Sequence, residues 1–310
     1  MVDGKKSWKA WLYLSPALVL LLLFTVWPMF NTIRVAFLDG YNGLAIVAGE
    51  KFSFGFENFK TVVDAGGDFV DCLVNTLLLC VLTVPISTML ALLIAVCLNS
   101  IKPLQKLLQT IFFLPYVTNT IAIGMVFSVM FSWTGKGMTQ ETIGIINSVI
   151  GVFGIAPVDW VGMQSSYAAN MAVMVIYIVW NALPFKILVL LGGLQGVNKQ
   201  YYEAAKIDGT SRWRTFWKIT VPMLSPMLAY VIITGFIGGF KEYSSIVGVF
   251  GDTMGPAGKA GRLNTMVGMI YDAINTADYG EASAAALILF AIILVVTIIN
   301  LYVSKKKVHY

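Results

Sequence analysis

Few side chains in this sequence are suited to covalent chemistry. The single histidine, His309, stands next to the last residue, and the three cysteines, Cys72, Cys80 and Cys97, form no CxxC pair. A structural zinc site needs four closely spaced His, Cys or carboxylate ligands, and acid–base catalysis near neutral pH draws most often on His. Neither has material here. Cys80 and Cys97 fall inside an apolar run and read as small buried hydrophobes. The phosphate-cradling pattern GxxxxGK[ST] is absent, so the chain has no P-loop for ATP. What remains is recognition chemistry, carried by polar residues set in apolar surroundings. Trp180 and Asn181 stand one turn before Pro184. Lys186 follows, and Gly238-Gly239-Phe240-Lys241-Glu242-Tyr243 forms a second group. Indole stacks on the C–H faces of sugars, and an amide both donates and accepts. Polar groups inside a membrane mark solute paths or bind neighbouring helices. Trp180, Asn181, Gly239, Lys241, Glu242 and Tyr243 are therefore candidates to line a path. The structural alternatives are helix–helix bonding for Asn181, lipid packing for Trp180 and an outer-interface position for Lys241. Asn119 and Thr120 are equally suited to joining helices. Lys186 is expected to snorkel to the headgroups.

A second concentration of signal runs from Gln200 to Pro222. Tyr202 to Asp208 reads as a short helix in which Ala204 and Ala205 permit close approach. Gly209 ends it, because glycine enters the left-handed C-terminal cap without steric cost. Thr210 or Ser211 can cap a second helix. That helix spaces Trp213, Phe216, Trp217 and Thr220 three to four residues apart, an apolar stripe beside basic residues. Pro222 is placed to open the apolar run that follows. By residue type alone this is equally an amphipathic helix lying on anionic lipid headgroups.

The elements that must position these residues are membrane helices. The chain is 58% hydrophobic and only 12% charged, against roughly 45–50% and about 25% in soluble domains. Six apolar stretches have the ~20 residues a spanning helix needs, at about 11–37, 73–98, 110–133, 171–191, 222–250 and 282–303. In lipid the backbone must satisfy its own hydrogen bonds, which makes them helices. The N-terminal run is too long for a signal-peptide core and reads as a retained span. The expected fold class is an all-α membrane protein, with residues 1–310 forming one transmembrane domain and a loop at 193–221. Loops carrying Lys5, Lys6 and Lys9, then Lys102 and Lys106, then Lys199, Lys206, Arg212, Arg214 and Lys218, and the tail Lys305–Lys307, hold thirteen of the 21 basic residues. The alternate loops hold Lys51, Lys60, Lys136, Lys259 and Arg262. The positive-inside rule puts both termini in the cytoplasm, as an even number of spans requires. The net charge of +5 is thus a matter of membrane orientation, with no basic face for nucleic acid. Outside, 134–169 contains Gly135-Lys136-Gly137 and an apolar stretch at Ile145–Phe153 that predicts a short surface helix.

The order of residues in the 200–222 segment goes further than its composition. Glu203-Ala204-Ala205, three residues, Gly209, nine residues, then Ile219 and Pro222 resembles the EAA loop of binding-protein-dependent ABC importer permeases. The fuller form, with Ile207-Asp208-Gly209 and Phe216, is similar to the carbohydrate-uptake permeases of the maltose, lactose and glycerol-phosphate type. Trp11-Leu12-Tyr13-Leu14-Ser15-Pro16-Ala17, Trp27-Pro28, Glu57-Asn58-Phe59, Asn75-Thr76-Leu77, Phe112-Phe113-Leu114-Pro115 and Gly280-Glu281-Ala282-Ser283-Ala284 extend the resemblance over nearly the whole chain. Gly238-Gly239 and Lys241-Glu242 depart from the family, which often has Asn or Gln there.

The resemblance implies six transmembrane helices in the type I ABC importer permease fold, with a cytoplasmic EAA coupling helix. Glu203, Ala204, Ala205, Asp208, Gly209, Ile219 and Pro222 would form the contact to an ATPase subunit. The implied partners are a second homologous permease, two ATP-binding subunits, an extracellular solute-binding protein and membrane lipid. The chain itself would be non-catalytic and hold no cofactor, ATP and Mg being bound by the partner ATPases. It would be multi-pass in a bacterial cytoplasmic (inner) membrane and move an oligosaccharide or related carbohydrate. An importer of glycerol phosphate or another small polar solute is the alternative. An ion-driven sugar transporter would want acidic residues in mid-span, where only Glu242, near an end, is available. An intramembrane enzyme would need clustered His, Cys or Asp.

Overall fold

The computed structural model describes residues 7–64, 68–101, 105–133 and 143–307. Lys5, Lys6, Lys102, Lys136 and the Gly135-Lys136-Gly137 turn lie outside the described residues. Among those described the fold is helical, and pairing outside helices is limited to two isolated bridges, Leu38 with Phe54 and Trp133 with Ile143.

The elements in chain order are α1 (Trp8–Ala36), interrupted by a π turn at Leu22–Val26, then α2 (Gly43–Ala48), α3 (Glu57–Val63), α4 (Asp68–Ser100), α5 (Gln105–Val117) and α6 (Thr120–Met130). There follow α7 (Ile145–Val152), α8 (Tyr167–Gly196), α9 (Lys199–Ile207), α10 (Arg212–Met223), α11 (Ser225–Gly239), α12 (Ser244–Phe250), α13 (Met266–Asn275) and α14 (Tyr279–Lys307). Among the described residues four helices, α1, α4, α8 and the Tyr279–Lys305 part of α14, are long and apolar enough to cross a membrane. Two bent pairs bring the total to six if each is one span.

The bent pairs correct two of the expected spans. The stretch at 110–133 is α5 and α6, set at 96°. Its break follows from local chemistry. Asn119 is extended and its side chain accepts from Ile121 N and Ala122 N, while Thr118 Oγ1 donates to the carbonyl of Pro115. Asn119 is thus an N-cap, restarting a helix after Pro115. The stretch at 222–250 breaks twice. α10 and α11 meet at 68° around Leu224. Pro226, at the first turn of α11, takes the helix-opening role expected of Pro222. Pro222 instead lies near the end of α10, after a π turn at Phe216–Thr220 in which Val221 N reaches back to the carbonyl of Phe216. A π turn accommodates irregularity that a regular i to i−4 ladder would reject. The third break follows Gly238-Gly239, where Phe240–Tyr243 leave the helix before α12 begins.

The chain forms two compact units. One comprises residues 1–69 and 269–290. In it Ala36, Val62, Ala284 and Ala285 make a small core with Phe59 and Ile288. Asn58 donates to the carbonyls of Ala36 and Leu38, and Gly43 N donates to Ala277 O. The other comprises 70–268 and 291–310. Its core joins α4, α6, α8 and α12 through Leu79, Phe127, Met174, Tyr177 and Ile246. A second cluster joins α4, α8 and α11 through Ala91, Leu92, Ile187, Leu190 and Val231. α6 crosses α12 at Gly124 and Gly248. A Cβ on Gly124 would stand 2.6 Å from the Cα of Gly248, so bare backbones make this contact. Tyr177 OH donates to Thr120 O, which gives Thr120 a helix-joining role through its backbone. On α4, Cys72 and Cys80 are buried, whereas Cys97 is exposed on the chain and does not fill the core place its apolar neighbours suggested.

Candidate functional site

Two places in the second unit collect the polar residues singled out above. The first is a cavity of about 300 Å3 between α4, α5, α8 and α11. Its apolar wall combines Val84, Ile178, Ala182 and Val231 with two aromatic rings, Tyr116 and Phe185. Tyr116 of α5 stacks on Phe185 of α8 at 5.9 Å, and Phe185 contacts Tyr230 of α11 at 6.4 Å. Its polar lining includes Ser87, Asn181, Thr234, Lys186 and Glu242. Glycine shapes the α11 side. A Cβ on Gly239 would meet Cys80 Sγ at 2.8 Å, and one on Gly235 would meet Lys186 Nζ at 3.3 Å.

Lys186 overturns the snorkelling expectation. It is 4% exposed. Its Nζ donates to Ser87 Oγ at 2.7 Å, Thr88 Oγ1 at 2.9 Å and the carbonyl of Val84 at 3.2 Å. The reason is the length of α8. The helix runs ten residues beyond Lys186, to Gly196, or about 15 Å at helical rise. A lysine side chain cannot cover that distance, and α4 offers oxygens close by. Each α4 hydroxyl spends its own proton on a carbonyl of its helix. Thr88 Oγ1 donates to Val84 O at 2.7 Å, and Ser87 Oγ to Thr83 O. The lone pairs left over face the ammonium. Such chains of donors polarise one another and strengthen in a low dielectric.

The other path candidates separate. Asn181, Gly239 and Glu242 line the cavity. Trp180 packs against Phe127, ring centres 5.5 Å apart, beside the core cluster. Tyr243 also packs on that core, and Lys241 is exposed. Glu242 Oε1 accepts from Ser245 N at 3.2 Å, in the first turn of α12, and its carbonyl accepts from Thr265 Oγ1. Tyr116, Phe185, Thr234 and Ser87 were not singled out from sequence. An aromatic or hydroxyl in an apolar helix is common, and only the joint orientation of four helices distinguishes these.

The second place is the α9–α10 pair. Asn198 caps α9 by accepting from Gln200 N at 3.0 Å. At the other end Gly209 has φ +65°. Gly209 N donates to Lys206 O and Thr210 N to Ala205 O, closing a Schellman turn. Ser211 then caps α10 by accepting from Arg214 N. Glu203, Ala204, Asp208 and Gly209 are exposed, as are Ile207 at 87% and Trp213 at 71%. Ala205 is buried in its own chain, so of the two alanines only Ala204 faces outward. Ile219 and Pro222 are half-buried. A hollow of about 560 Å3 separates the helices, lined by Tyr202, Lys206, Thr210, Arg212 and Phe216. Trp213, Phe216 and Trp217 contact one another edge-on or stacked at 5.0–6.2 Å, giving α10 a rigid aromatic face.

Residues 83–309 match the family of binding-protein-dependent transport system inner membrane components. The chain belongs to this family. The matched residues contain both places just described. Among curated relatives, the arabinooligosaccharides transport system permease protein AraP of Halalkalibacterium halodurans is 30% identical, over 94% of this chain and 86% of its own. The trehalose/maltose transport system permease protein MalF of Thermococcus litoralis is 28% identical, over 96% and 94%. Among solved structures, a chain of a bacterial alginate ABC transporter in complex with an alginate pentasaccharide-bound periplasmic protein superposes with TM-score 0.79 at 22% identity. That match covers 97% of this chain and 96% of the other. The fold is that of a type I ABC importer permease.

Proposed function

We propose that this permease moves an oligosaccharide or related carbohydrate inward through the cavity between α4, α5, α8 and α11. It would work with a second, similar permease, two ATP-binding subunits and an extracellular solute-binding protein. The observation that carries the proposal is the α9–Gly209–α10 turn. It presents Glu203, Ala204 and Asp208 outward on a short helix fixed at both ends by caps, with the residue order of an ATPase-docking loop. A surface-lying amphipathic helix would turn apolar side chains to lipid on one face and keep charges on the other. Here the exposed residues of α9 mix Tyr201, Glu203, Lys206 and Ile207, which suits a protein cleft better. The names of the relatives support a saccharide cargo, and the stacked Tyr116 and Phe185 rings in the cavity wall are suited to sugar C–H faces.

In this reading ATP and Mg belong to the partner chains, and this chain is non-catalytic and holds no cofactor. Closure of the ATPase pair moves the docked α9–α10 segment. α11 continues from α10 after one bend at Leu224, so motion of the segment reaches Gly235 and Gly239 in the cavity wall directly. The termini and the α9–α10 segment lie in the cytoplasm of a cell whose inner membrane the chain crosses. The test is uptake into proteoliposomes holding the complete assembly. Uptake should require ATP inside the ATPase compartment and the solute-binding protein outside. Uptake driven by an ion gradient with no ATP would overturn the proposal.

A further inference from the structure

Two charged side chains line the cavity, and their surroundings are unequal. Glu242 has a backbone donor, the N–H of Ser245 in the first turn of α12. Lys186 has only neutral partners among the described residues, two hydroxyls and one carbonyl. It is 4% exposed and in mid-helix. A buried charge in a membrane protein is normally paired, and an intramembrane ionisable group without a counter-charge marks a functional site. The two groups also sit at different levels. Gly239, three residues before Glu242, packs on Cys80, whereas Gly235 packs on Val84 and on Lys186 Nζ itself. The inner half of the cavity therefore carries an uncompensated positive charge beside the stacked Tyr116 and Phe185 rings.

From this unequal compensation we infer that the saccharide carried here bears an anionic group, a carboxylate or a phosphate ester, and that Lys186 is the specificity-determining residue that receives it. The inference rests on the permease reading above and deepens it. The ammonium keeps its bonds to Ser87 and Thr88 and gives up its longest one, 3.2 Å to Val84 O, to a ligand oxygen. Val84 O is not left bare, because it also accepts from Thr88 Oγ1. Gly235 matters for the same reason. Its missing side chain leaves the ammonium open on the α11 side, where a methyl would stand 3.3 Å from Nζ.

The experiment is ATP-driven uptake by the complete importer in proteoliposomes, from four labelled probes: trigalacturonate, sialyllactose, glycerol phosphate and maltotriose. Uptake of at least one anionic probe, with maltotriose at least roughly tenfold weaker, is expected. The carboxylate and phosphate arms tell the two anion sources apart. Lys186→Gln should cut the anionic uptake about 10–100-fold, because the incoming charge is left unpaired, and Lys186→Arg should restore most of it. Should the Gln variant fail to assemble, the wild-type panel still decides. ATP-dependent uptake of maltotriose in preference to all three anions overturns the anionic assignment and leaves the permease reading standing. Anionic uptake unchanged by Lys186→Gln overturns the role of Lys186. Uptake of an anionic probe driven by an ion gradient with no ATP removes the ATP-driven reading and this inference with it.

Discussion

The α9–α10 pair and the cavity around Lys186 are built on opposite principles. The pair is held by caps and turns: Asn198, the Schellman closure at Gly209, Ser211. Its outward side chains touch little, so they are free to be chosen for a partner. The cavity is lined from α4, α5, α8 and α11, and α11 approaches α4 at Gly235 and Gly239. There Lys186, a lining residue, is itself held in the packing by Ser87 and Thr88. If both regions act as proposed, function and folding are separable in the first and not in the second.

Replacing Glu203 with Ala should break that comparison most sharply if it is wrong. Glu203 is exposed, and surface substitutions usually change stability by no more than about 0.5 kcal/mol. A charge buried against a partner costs about 2–5 kcal/mol to remove. Uptake by the assembled importer should fall roughly 30-fold or more while the melting temperature of the purified permease stays put. An unchanged uptake rate would remove Glu203 from the coupling contact.

Next in size is Gly124→Val in the α6–α12 crossing. The neighbour there is the backbone of Gly248 at 2.6 Å, which cannot swing aside. Overpacking of this kind costs about 3 kcal/mol, read as a lower melting temperature in detergent. Uptake should be lost only as far as the folded fraction falls. Ser87→Ala tests the cavity, because it leaves the Lys186 ammonium one acceptor short. A hydrogen bond to a charged group is worth about 2 kcal/mol, and both melting temperature and uptake should drop together, unlike the Glu203 case. The smallest effect is expected of Gly209→Ala. An L-residue held at φ +65° costs about 1 kcal/mol. It should loosen the turn and lower uptake severalfold with little change in the melting of the whole chain.

Much of the α9–α10 segment was legible because its signals are local. Gly209 at a helix end, Ser211 before a helix and the EAA spacing each act within about one turn of chain, and the structure realises the turn and the cap where those residues stand. The apolar stretches likewise locate helices, since lipid leaves the backbone no other way to satisfy itself. Expectations failed where a residue has two legitimate uses. Asn119 suits a helix interface and an N-cap equally, and it caps. Pro222 and Pro226 both suit a first turn, and the bend at Leu224 gives that place to Pro226. Ala205 is as small as Ala204, yet only Ala204 faces out.

By itself, then, the order of residues determined that this is a chain of apolar helices and where the exposed turn at Gly209 lies, because helix formation in lipid and capping at glycine depend on neighbours a few positions away. Only the tertiary structure decided where Lys186 points. Its three acceptors lie on α4, about a hundred residues earlier in the chain. Whether a lysine reaches for water or for another helix depends on how far its own helix continues and on what the neighbouring helix offers at that level. That is a property of packing, and it turned a residue expected at the membrane surface into a buried part of the cavity lining.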